Sequence, residues 1–280
     1  MATWACSLEQ EDPQVNPQAV PVPSTCFSGE NTVEVEGKGL IPMGQLEIGD
    51  NVNVGADSFE RVYSFGHYSK TGKYSYLQIY NEDTKPSLEI SKDHMLFVEN
   101  KGKKKSVPAS TVKVGDSIVM NSGDVSRVSK VKTVIREGAF APFTMAGKIV
   151  VSGVVSSSYV SLQGTDTVMI GGVKTPFAMH FVAHLFTTPL RMMARVGLLS
   201  VETYNSDGLS NRIAGPHYLT ELLLEHNPFV FGFVFALMAA FSIPFLIAEA
   251  FLTNSALCFF AVGVGATWYY SASKKKVNYV

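Results

Sequence analysis

The chain has 280 residues and a formal net charge of −1, with 46% hydrophobic and 17% charged residues. This length suffices for one large domain or two modest ones. The nearly neutral charge excludes a global basic field, so the sequence predicts no nucleic-acid partner. The three cysteines, at positions 6, 26 and 258, have the spacing of neither a disulfide framework nor a zinc site. We therefore predict no cofactor and no metal site.

The N-terminal part of the chain changes character at Cys26. Residues 1–25 contain four prolines and several Gln, Asn and Ser residues, which predicts a disordered leader. Residues 26–162 contain short runs rich in Val, Ile and Tyr, such as NTVEVEG, SLEIS and KIVVSGVV, bounded by Gly, Asn, Asp and Pro. No amphipathic helix of convincing length interrupts these runs. The pattern predicts an all-β domain of roughly a dozen short strands.

The predicted β domain contains an internal repeat. LEIGDNV at 46–52 matches VKVGDSI at 112–118, and the same offset relates the Arg-Val pairs at 61–62 and 127–128. With a slightly different offset, LEISKDHMLFV at 88–98 resembles IVVSGVVSSSYV at 149–160. The three matches keep the same order, which favours a duplicated β unit with a pseudo-twofold axis over chance similarity of β-rich sequence.

The region 163–227 is predicted to be a linker that contains amphipathic helices. An amphipathic stretch begins near His180 and is interrupted by Pro189, and HYLTELLLEH follows a polar segment. We expect two short helices joined by loops. His180 and His184 have the i, i+4 spacing of metal ligands, but no third ligand has a recognisable spacing, so we assign them to one face of a helix.

The C-terminal region, 228–272, is predicted to be transmembrane. Residues 228–250 contain one charged side chain, Glu249, and exceed the roughly 20 apolar residues that cross a bilayer. A second apolar run at 255–270 ends in aromatic residues and precedes the lysines of the basic tail, 273–280. We predict a transmembrane helical hairpin with two spans rather than one. The chain would then be an integral membrane protein of the endomembrane system or the plasma membrane.

Cys26 begins the predicted β domain, in the segment PSTCFSGENTV. A cysteine in this place can attack the carbonyl of its own preceding residue through a five-membered ring. The attack would convert the Thr25–Cys26 amide, the predicted scissile bond, into a thioester. This exchange is uphill in ordinary peptides, so the site must stabilise the oxyanion and protonate the departing nitrogen. A lone cysteine is more often a small buried residue, and the chemistry therefore requires partners.

Three residues are candidate partners for Cys26. His94 lies at a predicted bend in LEISKDHMLFV, where it can donate a proton to the scissile nitrogen. Ser91, three residues earlier, can hold the local backbone in place. His67 lies on a glycine-containing bend in RVYSFGHYSK. A single histidine is more often a structural side chain, so these assignments depend on the residues acting together.

These segments resemble a known family. CFSGENTV, IPMGQLEIGDNV, LEISKDHMLFV, VPASTVKVGDSIVM and GAFAPFTMAGKIVVSGVVSSSYV, in this order, are similar to the Hint domain of the hedgehog C-terminal (Hog) autoprocessing family. The similarity covers residues 26–162, about half of the chain. The resemblance implies an all-β horseshoe with a pseudo-twofold repeat, in agreement with the internal matches. Here it would be followed by the short helices and the transmembrane hairpin.

The resemblance also implies roles for the candidate residues. Cys26 corresponds to the thioester-forming nucleophile of the family. Ser91 and His94 correspond to its Thr-x-x-His motif, with a serine that keeps the hydroxyl. In the animal proteins an aspartate near the position of His67 is thought to activate a sterol hydroxyl, and the resemblance implies that His67 serves as this base.

The chain departs from the family pattern at two further positions. Thr25 stands where the animal proteins have glycine, and Ser158, beside Tyr159, replaces a family cysteine. The end of the similar segment, SSSYVSLQG, also lacks the His-Asn ending before Cys, Ser or Thr with which inteins of the same fold complete splicing. We therefore expect cleavage without ligation.

Functions of different classes remain open on the sequence alone. In the first, the chain is a self-processing, protease-like enzyme. Cys26 forms an internal thioester, and a sterol or other lipid alcohol, a thiol or water then releases residues 1–25. In the second, an inactive Hint core serves as a membrane-anchored scaffold or interaction domain. The set of Cys26, Ser91 and His94 favours the first, with membrane lipid as the expected partner. A third, a cysteine hydrolase acting on other proteins, lacks any signal of a substrate groove.

Overall fold

The computed structural model describes residues 26–83 and 87–254, and eleven of its strands form one sheet. The strands are β1 Thr32–Val35, β2 Gly39–Pro42, β3 Asn51–Gly55, β4 Ser58–Asn81, β5 Leu88–Ile90, β6 His94–Asn100, β7 Lys103–Pro108, β8 Ser117–Val119, β9 Val125–Thr144, β10 Lys148–Val151 and β11 Val154–Val160. Their order is β10-β11-β6-β8-β9-β4-β3-β1-β2, and β5 pairs with β4 while β7 pairs with β6. The predicted all-β class is confirmed.

Two strands are much longer than the sequence pattern indicates. The runs ERVYSF and YLQIYN, predicted as separate short strands, both belong to β4, which has 24 residues. Its partner β9 has 20 residues, and the two pair from Val62–Thr144 to Asn81–Val128. The polar segment between the runs remains extended because β9 supplies hydrogen-bond partners along it.

The internal repeat is present in the backbone. Pro42 and Pro108 precede equivalent 3-10 turns, with φ and ψ of −60° and 141° in the first and −60° and 140° in the second. Matching hydrogen bonds close the following loops: Gly49 N–H to Val62 O at 2.9 Å and Gly115 N–H to Val128 O at 2.8 Å. Each repeat thus contains a hairpin, a turn, a short strand and one of the two long strands.

The main core lies between the two repeats. Alternate residues of the strands point inward, such as Val33 and Val35 in β1 and Leu96 and Val98 in β6. Burial of an aliphatic side chain of this size stabilises a fold by about 1.5–3 kcal/mol. This core therefore fixes the registers of the strands that carry the candidate site.

Residues 163–227 contain more regular structure than the two short helices expected. A hairpin of β12, Thr167–Ile170, and β13, Val173–Ala178, precedes three helices. These are α1 Met179–Phe186, α2 Thr188–Arg195 and α3 Asn211–His226. Pro189 lies in the first turn of α2. The N–H groups of a first turn have no intrahelical acceptor, so a proline there removes no helical hydrogen bond.

The final described helix is α4, Pro228–Thr253. Within Phe229–Thr253, a window of 18 residues has a mean hydropathy of 2.4, and the length and composition of the segment suffice to cross a membrane. It is the one such helix among the residues that the structure describes. One face carries exposed side chains such as Phe233 and Leu237, whereas Phe231 and Phe235 pack against the rest of the protein.

A buried ion pair holds the C-terminal part of α4 against α2. Arg191 is fully buried, and its Nη2 and Nε lie 2.7 and 3.1 Å from the carboxylate oxygens of Glu249. Arg195 Nε also contacts this carboxylate, at 3.2 Å. The predicted leader 1–25, the second apolar run 255–270 and the basic tail 273–280 lie outside the described residues. The prediction of two spans therefore stays a prediction.

Candidate active site

Cys26 lies at the end of a short bridge between strands of both repeats. The adjacent residue, Phe27, pairs with Phe140 in β9 through hydrogen bonds of 2.8 and 3.0 Å and forms a bridge with Ile90 in β5. Cys26 itself is fully buried and packs against Tyr76 and other residues of β4 and β9. The bridge therefore fixes the backbone next to the candidate nucleophile.

Ser91 binds the backbone of Cys26 through two hydrogen bonds. The N–H of Cys26 donates to Ser91 Oγ at 3.0 Å, and the N–H of Ser91 donates to the carbonyl of Cys26 at 3.0 Å. Ser91 directly follows β5 and begins a turn. The carbonyl of Ser91 accepts a hydrogen bond from the N–H of His94 at 3.2 Å. This turn brings the predicted Ser-x-x-His motif next to Cys26.

His67 contacts the sulfur of Cys26. Its Nδ1 lies 2.7 Å from Cys26 Sγ, which is within hydrogen-bond distance. A β-bulge positions this histidine: between the pairs Phe65–Pro142 and Tyr68–Phe140, β4 has one residue more than β9. Such a bulge re-aims side chains and interrupts the ladder, and a proline opposite it loses no hydrogen bond there.

A segment after the β domain covers His67, and we call residues 202–212 the strap. The backbone of β4 at the bulge binds it: Tyr68 N–H donates to Gly208 O at 2.8 Å, and Ser210 N–H donates to Gly66 O at 3.0 Å. Gly208 has a φ of +80°, and a Cβ there would lie 2.7 Å from His67 Nε2. Glycine is therefore required at this position by both conformation and space.

Glu202 holds the strap against β4. Its carboxylate accepts hydrogen bonds from Ser64 Oγ at 2.5 Å and from Ser210 Oγ at 2.6 Å, and it forms an ion pair with Arg212. These contacts link the start and the end of the strap to the strand that carries His67.

Burial lowers the pKa of His67, and the backbone and charge of Asp207 oppose this shift only in part. Nε2 makes no hydrogen bond of ordinary geometry with the residues that the structure describes, although the nearby Asp207 backbone favours the protonated ring. Since desolvation has the larger effect, the imidazole is neutral near pH 7 and can accept a proton from a thiol.

His94 is fully buried at the start of β6. Its Nε2 lies 2.8 Å from the carbonyl oxygen of Ser157 in β11, and its ring packs on Phe27 with 4.2 Å between the ring centroids. A carbonyl only accepts hydrogen bonds, so Nε2 is the donor in this contact. In the neutral ring, Nδ1 is therefore the nitrogen that can take up a proton.

The structure thus brings Cys26, Ser91, His94 and His67 into one buried cluster, while Thr25 lies outside the described residues. Sequence reasoning missed the strap and the role of Ser157. Asn-Ser-Asp-Gly at 205–208 has the composition of a turn, but nothing in it indicates contact with His67. The contact at Ser157 uses a backbone carbonyl and leaves no signal in the sequence.

A cavity of about 450 Å³ begins beside His67 and lies between the sheet and the helices. Gly66 and Leu209, which flank His67 in β4 and in the strap, form part of its lining, together with residues of α1, α3 and α4. The lining is mainly apolar. Ser158 also lines the cavity, and its buried Oγ has no hydrogen-bond partner among the described residues.

The chain is similar to one protein family and to several known proteins. A family model described as Hint module matches residues 16–214. Indian hedgehog protein of Xenopus laevis is 25% identical over 217 residues, which cover 73% of this chain and 49% of that protein. Warthog protein 6 of Caenorhabditis elegans is 30% identical over 149 residues, which cover 49% of this chain and 24% of that protein. The chain thus spans less than half the length of either relative.

Among solved structures, a crystal structure of a gp41-1 intein variant is 15% identical to the chain and has a TM-score of 0.40. It covers 47% of this chain and 98% of the intein variant. A TM-score this low adds nothing to the family assignment.

We expect the His67 imidazole to titrate with a midpoint below 6.5, because burial favours its neutral form. Between 6.5 and this lower midpoint the unfolded chain binds a proton that the folded chain does not, so this histidine makes the fold less stable as the pH falls through that range. NMR of the imidazole carbons in the Cys26→Ser protein measures the midpoint, and His67→Asn identifies the signal. A midpoint above 6.5 would show that burial does not control the charge of this ring.

Proposed function

Because the chain belongs to the Hint module family, we propose that it cleaves its own backbone at the Thr25–Cys26 bond through a thioester on Cys26. The observation that carries this proposal is the 2.7 Å contact between Cys26 Sγ and His67 Nδ1. A cysteine is a nucleophile only as the thiolate, and a neutral imidazole at this distance is a base that can produce it.

In the first step, the thiol of Cys26 gives its proton to His67 Nδ1, and the sulfur attacks the carbonyl carbon of Thr25. The carbon–nitrogen bond then breaks, and the nitrogen of Cys26 leaves as an amine that needs a proton. His94 supplies this proton from Nδ1 when its ring is protonated. Ser91 supports the step because its hydroxyl already accepts from this N–H and fixes the plane of the amide.

In the second step, an acceptor attacks the thioester, and its proton passes to the departing sulfur of Cys26. His67 contacts this sulfur, so once it has given up its first proton it can carry the second. The resemblance to the Hog family implied a role for His67 at the acceptor alone. The geometry supports a role in both steps.

We propose a lipid alcohol such as a sterol as the acceptor, in preference to a thiol or water. The mainly apolar cavity beside His67 has a volume suited to a ligand of this class. The unpartnered hydroxyl of Ser158 can pair with the single hydroxyl of such a ligand. Helix α4 borders the cavity with Phe241 and Ser242, so its apolar exposed face supports membrane lipid as the source.

The full chain with an N-terminal tag tests the proposed cleavage. Dithiothreitol or hydroxylamine should release a tagged fragment that ends at Thr25, detected by mass spectrometry. Cys26→Ala should abolish release, because no other group can form the five-membered ring. Cys258→Ala is the matched control and should cleave normally. Absence of release from the parent chain, with the fold intact, would instead support the inactive scaffold.

His67→Ala should slow both dithiothreitol-induced release and transfer to an alcohol, each by about 10²–10⁴-fold, because both steps move a proton at the same sulfur. Quantitative gel analysis of the tagged chain gives both rates. Lys103→Ala, at an exposed position at the start of β7, provides the control. Loss of alcohol transfer alone, with normal thiol cleavage, would restrict His67 to the second step.

Ala183→Phe, in the lining of the cavity, should reduce transfer to cholesterol in detergent micelles by about tenfold or more, equivalent to 1.4 kcal/mol. Dithiothreitol-induced release should continue, because a small thiol does not need the cavity. Ala178→Phe adds the same ring at an exposed position and serves as the control. Unchanged cholesterol transfer in the folded Ala183→Phe protein would show that the acceptor binds elsewhere.

A further inference from the structure

Ser157 connects the candidate site to α1 through its two polar groups. Its carbonyl oxygen contacts His94 Nε2 at 2.8 Å, and its hydroxyl contacts His180 Nδ1 at 2.9 Å. The hydroxyl also accepts from the N–H of Tyr159 at 2.9 Å. Ser157 is fully buried, so each of these contacts is shielded from water.

The backbone at Ser157 is not held by regular pairing with β6. The strands β11 and β6 pair at Ser156–Leu96 and at Val160–His94, and the register shifts between these two pairs. Because of this shift, the Ser157 carbonyl accepts a hydrogen bond from the side chain of His94 and not from a backbone N–H of β6. The N–H of the same peptide, that of Ser158, donates to Gly147 O at 2.9 Å just before β10. On the side of the helices, the hydroxyl contact with His180 is the further constraint on Ser157.

We propose that His180 is a positioning residue for His94: by binding the hydroxyl of Ser157, it holds the carbonyl that keeps the proton of His94 on Nε2. The proposal rests on the proposed function, in which the other nitrogen of His94 protonates the leaving amine. If the carbonyl turned away, either nitrogen of His94 could carry the single proton of the neutral ring, and the ring could rotate.

The surroundings of His180 suit this role. Its ring stacks on His184 with 6.1 Å between centroids and an interplanar angle of 7°, and its other neighbours include Phe97 and Tyr159. Burial lowers its pKa to about 4, so the ring is neutral and can accept the proton of the Ser157 hydroxyl. The hydroxyl then presents its oxygen to the N–H of Tyr159.

His184 fixes the other side of this arrangement. Its Nδ1 contacts the hydroxyl of Tyr159 at 2.9 Å and Nη1 of Arg191 at 3.2 Å. Arg191 can only donate, so Nδ1 of His184 is the unprotonated nitrogen. The i, i+4 histidine pair, which has the spacing of metal ligands, thus binds the hydroxyl groups of Ser157 and Tyr159 in β11.

Two substitutions at His180 test the proposal in the full tagged chain. His180→Leu removes the hydrogen bond, and dithiothreitol-induced release should slow by about 10–100-fold, as expected when a reacting group is misplaced. His180→Asn keeps a polar atom near the position of Nδ1 and should retain most of the rate. In a double-mutant cycle, Ser157→Ala should add little to the loss caused by His180→Leu.

A spectroscopic measurement separates positioning from general damage. In the Cys26→Ala chain, which does not process, nitrogen NMR at a pH where the His94 ring is neutral should show its single proton on Nε2. The His180→Asn chain should keep this signature, and the His180→Leu chain should lose it. Ser156→Ala is the matched control, since its hydroxyl has only a 3.5 Å contact within its own strand.

Two results would overturn the proposal. One is normal release by the His180→Leu chain, and the other is slow release with the His94 signature unchanged. Failure of the proposed function has a different outcome: the parent chain would not release its leader at all. The NMR comparison in the Cys26→Ala chain would still report whether His180 positions His94.

Discussion

The ladder between β4 and β9 is the contact on which both the fold and the site depend. It joins the two repeats, because β4 belongs to the first and β9 to the second. It also carries both sides of the cluster around Cys26. His67 lies on β4, while Phe140 on β9 holds the bridge residue next to the cysteine. A shift of one residue in a strand turns its side chains to the opposite face, so the bulge at His67 determines which strand residues face the sulfur.

Burial governs the chemistry at this cluster. The residues Cys26, Ser91, His94 and His67 are all at most 2% exposed, so water has little access to the sulfur. A site that excludes water protects a reactive intermediate from hydrolysis. In the proposed reaction, this exclusion favours an acceptor that reaches the thioester from the apolar cavity over one that comes from bulk solvent.

The sequence predicted much of the β domain. Its all-β class followed from the strand patterns, because alternating burial and tight turns leave signals in the local sequence. Its duplicated unit followed from the three internal sequence matches that keep the same order. The lengths of β4 and β9 did not follow, since a polar segment stays extended only when a distant strand pairs with it. Ser91 and His94 are only three residues apart in the chain, so the turn that joins them is local and could be predicted from the sequence.

The rest of the site depends on contacts between residues far apart in the chain. His67 and Gly208 meet only after the strap returns to β4. Ser157 links His94 with His180 through a carbonyl and a hydroxyl, and neither partner is near it in the sequence. An i, i+4 histidine pair has the same pattern whether it binds a metal or a strand, so only the fold distinguishes the two.

The ion pair between Arg191 and Glu249 ties the one strongly apolar helix that the structure describes to the rest of the protein. A lone acidic side chain at the centre of a bilayer costs about 2.5–3.5 kcal/mol, whereas in the fold the Glu249 carboxylate lies against two arginines. If α4 entered lipid as an isolated segment, this carboxylate would lose both partners. The arginines favour docking of α4 on α2, and Phe233 and Leu237 still face outward, toward the surface where lipid would lie.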